Sequence, residues 1–454
     1  MEQMKSGSAT SSRAVTSIPD QALAPAPAAA QEAGRKVAFV ASIYGHFTGF
    51  HLPYMRLLQE LGCEVHAYAQ PGAECERLEG AGIVCHDVPI HRSPLQPGNL
   101  RALRQLEASF RQERFQFVHV HTPVAALLGR LAARRAGIPC TLYTAHGFHF
   151  YDGAPLLNWL LYYPLERWMA RSTDVLLTMN GEDWERARSW RWRRPGRAVY
   201  VPGVGLDLAE FGRPGTGGGE AARREPLGLD SEAARRELFG LPPQAEGEPP
   251  AFVVLCVAEL NANKNQRQLV EALGLLQARG DARVQLALAG TGPAAPELLA
   301  HAERLGVRDR VHALGYRRDV PALLRACDAA ALMSHREGLP RAVMEAMAAG
   351  KPVVGTRIRG IRDLVADGET GRLVPVGDAR ATADALLQLR DAPERAAAMG
   401  AAAVERIAGF SLPAVLREME AIYKDALAWP QSATKKMRSP TQPTAVATER
   451  TAGN

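Results

Sequence analysis

The chain has 454 residues, of which 46% are hydrophobic and 22% charged, with a formal net charge of +6 and a pI near 9.1. That length exceeds one ordinary core and calls for two domains with tails, and the apolar fraction is that of a globular protein. The mild positive balance favours anionic ligands or an anionic membrane surface over acidic partners, and no run of about 18 uncharged apolar residues offers a transmembrane helix.

The N-terminus lacks the compact apolar core of a signal peptide. Residues 1–34 are rich in Ser, Ala, Pro and Gln, show no hydrophobic period, and are expected to be a disordered tail. Order is expected from Lys36–Ser42, an apolar run of the kind a buried parallel strand requires. Strands at 64–68, 83–88, 117–120, 140–144, 174–178 and 198–201 then alternate with helices, including 51–61, 98–113, 123–136 and 155–171. This alternation predicts a parallel sheet with helices on both faces, a Rossmann-like domain over 35–208. Between 209 and 250 the pattern fails. The run Gly215–Gly219 and the prolines from Pro242 to Pro250 mark a linker with one short helix near 231–239. A second series over 251–411 carries strands at 252–257, 284–288, 311–314, 329–333 and 352–354. An amphipathic helix within 412–429 is long enough to cross back to the first domain, and 430–454 is a polar, unstructured tail. The fold class is α/β, with two doubly wound Rossmann-like domains facing a cleft and ligands at the carboxyl ends of the strands. Six cysteines, at 63, 75, 85, 140, 256 and 327, lack metal-ligand spacing and read as reduced thiols of a cytosolic protein.

The most informative stretch is Ser334–Glu345. The strand ends before it, the chain turns at Glu337-Gly338, and Pro340 occupies a favoured helix start. Gly350 and Pro352 end that helix. Two carboxylates, Glu337 and Glu345, thereby flank free backbone N–H groups. The arrangement suits a ligand with hydroxyls at both ends and phosphates between them. Lys264, in Ala262–Asn265 after the first strand of the second domain, can supply a positive charge to such phosphates. The chain contains no Asp-x-Asp pair, so no metal is expected at this centre. Gly290-Thr-Gly292 is only a fragment of a dinucleotide fingerprint and says little alone.

These residues resemble the GT-B-fold retaining glycosyltransferases of family 4 (group 1). The resemblance rests on Glu337 and Glu345 with seven residues between them, Glu337–Pro340 and Ala349–Val354. It extends through Gly290–Pro293, Leu314–Val320, Pro202–Asp207 and Asp367–Gly371, and covers about 36–428. His46–Pro53 and Thr144–His149 resemble the branch that builds bacterial capsular, exopolysaccharide and lipid-linked glycans. The resemblance implies transfer of a hexose-type sugar from a nucleotide-sugar donor, UDP-linked, to a lipid-linked or growing glycan, by a cytoplasmic enzyme peripheral at the inner leaflet. It implies Glu337, Lys264 and His146 as catalytic residues, with Glu337 on the donor sugar. Glu345 would hold the ribose, and Gly338, Leu339, Gly290, Gly292 and Asn265 would line the donor. Tyr316 and Arg317 would bracket the base, and Gly45, Gly49 and His51 would form the acceptor or phosphate loop. No cofactor is implied. One departure stands out: where the family commonly has an arginine, this chain has Glu259, which cannot bind diphosphate. Arg341 and Arg267 are candidate replacements. A sugar-nucleotide epimerase on the same scaffold, or a non-catalytic partner of a glycan-synthesis complex, are the alternative readings.

His146 also reads as a loop histidine bonded to a backbone carbonyl, and His119 as a buried, paired strand histidine. Leu156–Trp168 is unusually aromatic and reads as a core helix. Trp190–Arg194 mixes tryptophan with arginine and reads as a membrane-surface contact. No nucleic-acid motif accompanies the basic residues.

Overall fold

The computed structural model describes residues 34–192, 196–212, 231–244, 246–247 and 249–429. The expected N- and C-terminal tails and the linker glycines 215–219 lie outside the described residues.

Runs such as Val37–Ala41, buried at every position, can only be satisfied inside a sheet covered on both faces. The first domain is accordingly a seven-stranded sheet of β1 (Arg35–Ile43), β2 (Cys63–Gln70), β3 (Val84–Asp87), β4 (Phe117–Val120), β5 (Cys140–Ala145), β6 (Val175–Thr178) and β7 (Arg197–Tyr200). Its order is β3-β2-β1-β4-β5-β6-β7, with every pairing parallel. The second sheet contains β8 (Phe252–Val257), β9 (Val284–Ala289), β10 (Val311–Gly315), β11 (Ala329–Leu332), β12 (Val353–Thr356) and β13 (Gly371–Val374). Its order, β10-β9-β8-β11-β12-β13, repeats the first six positions of the other sheet. Each sheet therefore reverses direction once, between β1 and β4 and between β8 and β11, which is where a doubly wound sheet opens a crevice.

The alternating pattern placed most elements to within a few residues. The helix expected at 51–61 is preceded by another, Gly45–Phe50, and itself spans Leu52–Glu60. The stretch 355–411, unassigned from sequence, holds β13 and the helices Ala379–Asp391 and Pro393–Ile407. β13 is a four-residue edge strand, too short to stand out as an apolar run. Much of the expected linker belongs to the second domain. Helices Leu208–Phe211 and Glu232–Phe239 send Phe211, Phe239 and Leu241 into its core, and the Ser231 side chain caps the second of them by accepting from the Ala234 N–H.

The two aromatic segments exchange the places expected of them. Helix Leu156–Met169 buries only Met169, leaving Leu156 73%, Leu157 62%, Leu160 64% and Leu161 56% exposed. Trp190 is buried at 6% and packs against Phe148 and Phe150, while Arg193 and Arg194 lie outside the described residues. Segment composition does not distinguish the two cases. The helix packs Trp159 and Tyr163 against the core and turns its leucines outward. No described helix is long and apolar enough to cross a membrane.

The last helix, Leu412–Leu427, returns to the first domain and buries Val415, Met419, Ile422, Tyr423 and Ala426 in its core. Tyr423 stacks on Phe117 with ring centroids 5.6 Å apart, and its hydroxyl lies 3.2 Å from His119 Nδ1. Tyr423→Ala should cost about 3–5 kcal/mol through the cavity it leaves, and Tyr423→Phe only about 1 kcal/mol for the lost hydrogen bond. Urea unfolding checks both values, and an unchanged midpoint for Tyr423→Ala would show that the helix is not docked.

Candidate active site

The loops after β8 and β11, at the reversal of the second sheet, build the centre of the site. Asn261 accepts from the Lys264 N–H at 3.1 Å and shapes a single 3-10 turn, Ala262–Lys264. Asn263 ties this turn to the other loop, donating to Arg336 O at 3.0 Å and accepting from His335 N–H at 2.8 Å. The result brings Lys264 and Glu337 together: Lys264 Nζ lies 2.6 Å from Glu337 Oε1, which also accepts from Ser334 Oγ at 2.6 Å. Ser334 is in turn fixed by Thr356 Oγ1 on its carbonyl. Pro340 caps the next helix, Arg341–Ala348, in extended conformation rather than forming its first turn. Glu345 lies on this helix and accepts from Arg341 Nε at 2.7 Å. Burial pushes its carboxyl above the usual range, and the Arg341 charge opposes that rise.

The loop reaches the other domain at Gly338. A Cβ there would lie 1.8 Å from His146 O, so only glycine lets the two backbones meet. Gly147, at φ +124°, has the same need, since its Cβ would approach Gly338 Cα to 3.0 Å. Leu339 packs over Gly203. His146 comes directly after β5 on this wall, and burial pushes its pKa down to about 4, so the ring is neutral near pH 7. Its Nε2 is 3.2 Å from His46 Nε2 rather than on a backbone carbonyl. His119 is buried and partnered by Thr144 Oγ1 and Tyr423. A small cavity lies beside these rings, lined in part by His51, Tyr54, Thr144, Met179 and Met419.

Other positions nominated from sequence have more local explanations. Cβ atoms on Gly290 and Gly292 would lie 1.9 Å from Ala258 O and 2.1 Å from Leu260 O, so these glycines let the loops after β8 and β9 pack together. Asn265 adopts the left-handed conformation at φ 49° and bonds Gln268. Arg317 is bound to Asp319, while the neighbouring Tyr316 ring is half exposed. Gly45 and Gly49 lie within the helix Gly45–Phe50, and a Cβ on Gly45 would meet nothing closer than 3.9 Å. Neither candidate replacement for the missing arginine is free, because Arg267 pairs with Glu271 and Arg341 with Glu345.

Sequence reasoning missed the group that joins the domains here. Arg359, in the loop after β12, donates to Glu337 O at 3.2 Å and Phe150 O at 3.4 Å, and also contacts Phe148 O and the Asp183 carboxylate. Asp183 accepts further from Phe148 N–H and Asn180 Nδ2, and Asn180 also donates to Gly338 O at 3.2 Å. Both members of the pair are almost wholly buried, at 2% and 0% exposure. Burial pushes the Asp183 carboxyl up and the Arg359 guanidinium down from their ordinary ranges, and the mutual attraction counters each shift. Asp183 could have been picked out as the third residue of an Asn-capped helix, but no spacing in the chain links it to Arg359. Arg359→Ala should destabilise the protein by about 3–5 kcal/mol, because it strands a buried carboxylate. The double change Arg359→Met with Asp183→Leu should lose less. Thermal unfolding of both variants provides the check, and equal losses would refute an uncompensated charge as the cause.

Comparison with known proteins agrees with this geometry. The family described as "Glycosyl transferases group 1" matches residues 243–406, and "Glycosyl transferase 4-like domain" matches 52–203. A protein of Bacillus subtilis (strain 168) named "Putative glycosyltransferase EpsD" is 37% identical over 391 residues, covering 86% of this chain and 96% of its own. The UDP-Gal:alpha-D-GlcNAc-diphosphoundecaprenol alpha-1,3-galactosyltransferase of Escherichia coli is 28% identical over 295 residues, 64% of this chain and 71% of its own. Among solved structures, HepE of Anabaena in complex with UDP and glucose superposes with a TM-score of 0.68 at 20% identity, over 86% of this chain and all of that one. The sucrose-phosphate synthase of Thermosynechococcus elongatus gives 0.65 at 17% identity, over 87% of this chain and 99% of its own. These two likenesses establish the GT-B fold. With paired doubly wound sheets, a Lys–Glu centre at one reversal point and a relative matched along nearly its whole length, the chain belongs to the group 1 glycosyltransferases.

Proposed function

We propose that the protein is a retaining hexosyltransferase that moves a sugar from a UDP-sugar to a lipid-linked or growing glycan during cell-surface polysaccharide assembly. The observation that carries this reading is the Lys264–Glu337 pair, held where the second sheet reverses and roofed by the His146–Gly147 backbone. Lys264 Nζ is placed to meet the negative charge that develops on the departing diphosphate, and the amides opening the helix Arg341–Ala348 add a positive partial charge. Glu337 holds hydroxyls of the donor sugar and Glu345 the ribose. In this reading the leaving phosphate oxygen takes the acceptor proton on the face from which the nucleotide departs, so configuration is kept. The diphosphate is steadied by side chains and amides without a metal at that point. With Arg267 and Arg341 already paired, Arg336 is the guanidinium nearest in sequence to Glu337 that could take the part of the family arginine. The name of the Escherichia coli relative, a transferase acting on a diphosphoundecaprenol-linked sugar, supports a UDP-sugar donor and a lipid-linked acceptor. The name of the EpsD relative supports only the transferase class.

A lipid-linked acceptor calls for work at a membrane surface, and the bare leucine face of helix Leu156–Met169 supports a cytoplasmic enzyme held peripherally at the inner leaflet.

Glu337→Ala should abolish transfer, lowering kcat by at least about 100-fold as expected for loss of a group acting at the reacting sugar. Unchanged glycan output in cells would overturn the catalytic reading. Which nucleotide-sugar raises the melting temperature of the purified protein identifies the donor. Because burial raises the Glu345 pKa, this carboxylate takes up its proton at a higher pH than an ordinary glutamate. Donor affinity should therefore weaken as the pH falls toward that raised value, and Glu345→Gln should flatten the dependence while weakening binding throughout. Titrations of UDP at several pH values measure both effects. Leu157→Asp combined with Leu161→Asp should reduce sedimentation with anionic vesicles and leave turnover of a soluble acceptor intact; unchanged sedimentation would remove this helix from the membrane contact.

A further inference from the structure

Three separate segments of the first domain bring four histidines to one point. His46 and His51 come from the helix after β1 and its end, His121 from the residue after β4, and His146 from the residue after β5. One ring nitrogen from each lies within 4.8 Å of the others. His46 Nε2 is 3.2 Å from His146 Nε2 and also 3.2 Å from His51 Nε2.

Hydrogen bonding alone does not account for this packing. An imidazole nitrogen carries either one proton or one in-plane lone pair, so His46 Nε2 makes one good in-plane bond and faces its second neighbour without one. His121 is fully buried, and both of its ring nitrogens lack a partner. Such an orphaned buried group normally costs stability. The neighbouring His119 has both nitrogens satisfied by Thr144 and Tyr423, so orphaning is not general in this region.

We propose that His46, His51, His121 and His146 form a binding site for a divalent transition-metal ion of the zinc type. Four neutral imidazoles without thiolate or carboxylate suit borderline ions such as Zn²⁺ and exclude Mg²⁺ and Ca²⁺, which take oxygen ligands. Tetrahedral zinc with Zn–N bonds of about 2.0–2.1 Å sets its ligand nitrogens about 3.3 Å apart. The two observed 3.2 Å contacts match that edge. One ion would accept all four lone pairs and relieve both the repulsive contact and the orphaned His121. His51 and His121 are buried, whereas His46 and His146 are partly open. The ion would clamp the segment 45–51 to the segment 145–149 and so fix the backbone on which Gly338 rests. The site lies in the first domain, on the wall that Gly338 meets beside the Lys264–Glu337 centre, and it gives His51 and His146 a metal-holding role in place of the acceptor and catalytic roles the family resemblance implied.

The test uses the full-length protein, stripped with a chelator, dialysed, and titrated with Zn²⁺ and separately with Co²⁺. The expected result is one ion per chain by elemental analysis, a raised melting temperature, and the intense visible absorption of tetrahedral Co²⁺. His51→Asn and His121→Asn should each weaken binding by more than the roughly 10–100-fold that loss of a mere supporting group costs. His301→Asn, on the second domain, should bind as the parent does. Substoichiometric metal on folded parent protein, the weak spectrum of octahedral Co²⁺, or undiminished binding by both variants would each overturn the proposal. Should the variants not fold, the stoichiometry and the Co²⁺ spectrum of the parent decide it.

Discussion

The buried contact between Arg359 and Asp183 is the constraint on which the arrangement of this enzyme depends. A guanidinium from the second domain is driven into the first, where it finds two backbone carbonyls and a carboxylate. Its remaining donor holds the carbonyl of Glu337, so one side chain sets both the approach of the domains and the position of the central loop. The net attraction within a buried pair of this kind is small beside the cost of breaking it, since removing one partner leaves a desolvated charge. The lock therefore specifies a geometry more than it adds stability. Asn180 and Gly338 extend the same seam with a further hydrogen bond, and the Cβ-free contact of Gly338 with Gly147 completes it.

Around that seam the chemistry is divided between two reversal points. The second domain supplies charge: Lys264 against Glu337, and Arg341 against Glu345, at the start of a helix. The first domain supplies neutral, desolvated imidazoles and an apolar cavity. Charge is thus concentrated on one side of the seam and neutral rings on the other. Glu259 takes no part in this charged centre. The side chain is exposed, and only its backbone carbonyl is used locally, by Gln266.

Two kinds of residue resisted reading from the linear chain. The grouping of His46, His51, His121 and His146 is not legible in the linear chain, because the strands that assemble them are distant in sequence and only the sheet order β1-β4-β5 makes them neighbours. Gly290 and Gly292 say little alone and are assigned to the donor only through the family resemblance, whereas their tight contacts are with the loop after β8.

The sequence by itself determined the βα alternation, the two-domain count, the returning terminal helix and the Glu337–Glu345 stretch. All four arise from local periodicity and from helix punctuation, which need no distant partner. Tertiary structure alone decided which aromatic segment is bare. Both segments are rich in aromatics, yet Leu156–Met169 keeps its leucines exposed while Trp190 is buried against Phe148 and Phe150, because burial is set by the distant rings each one meets. It also decided the Arg359–Asp183 lock and the histidine cluster, because a pair separated by 176 positions leaves no periodic trace in the chain.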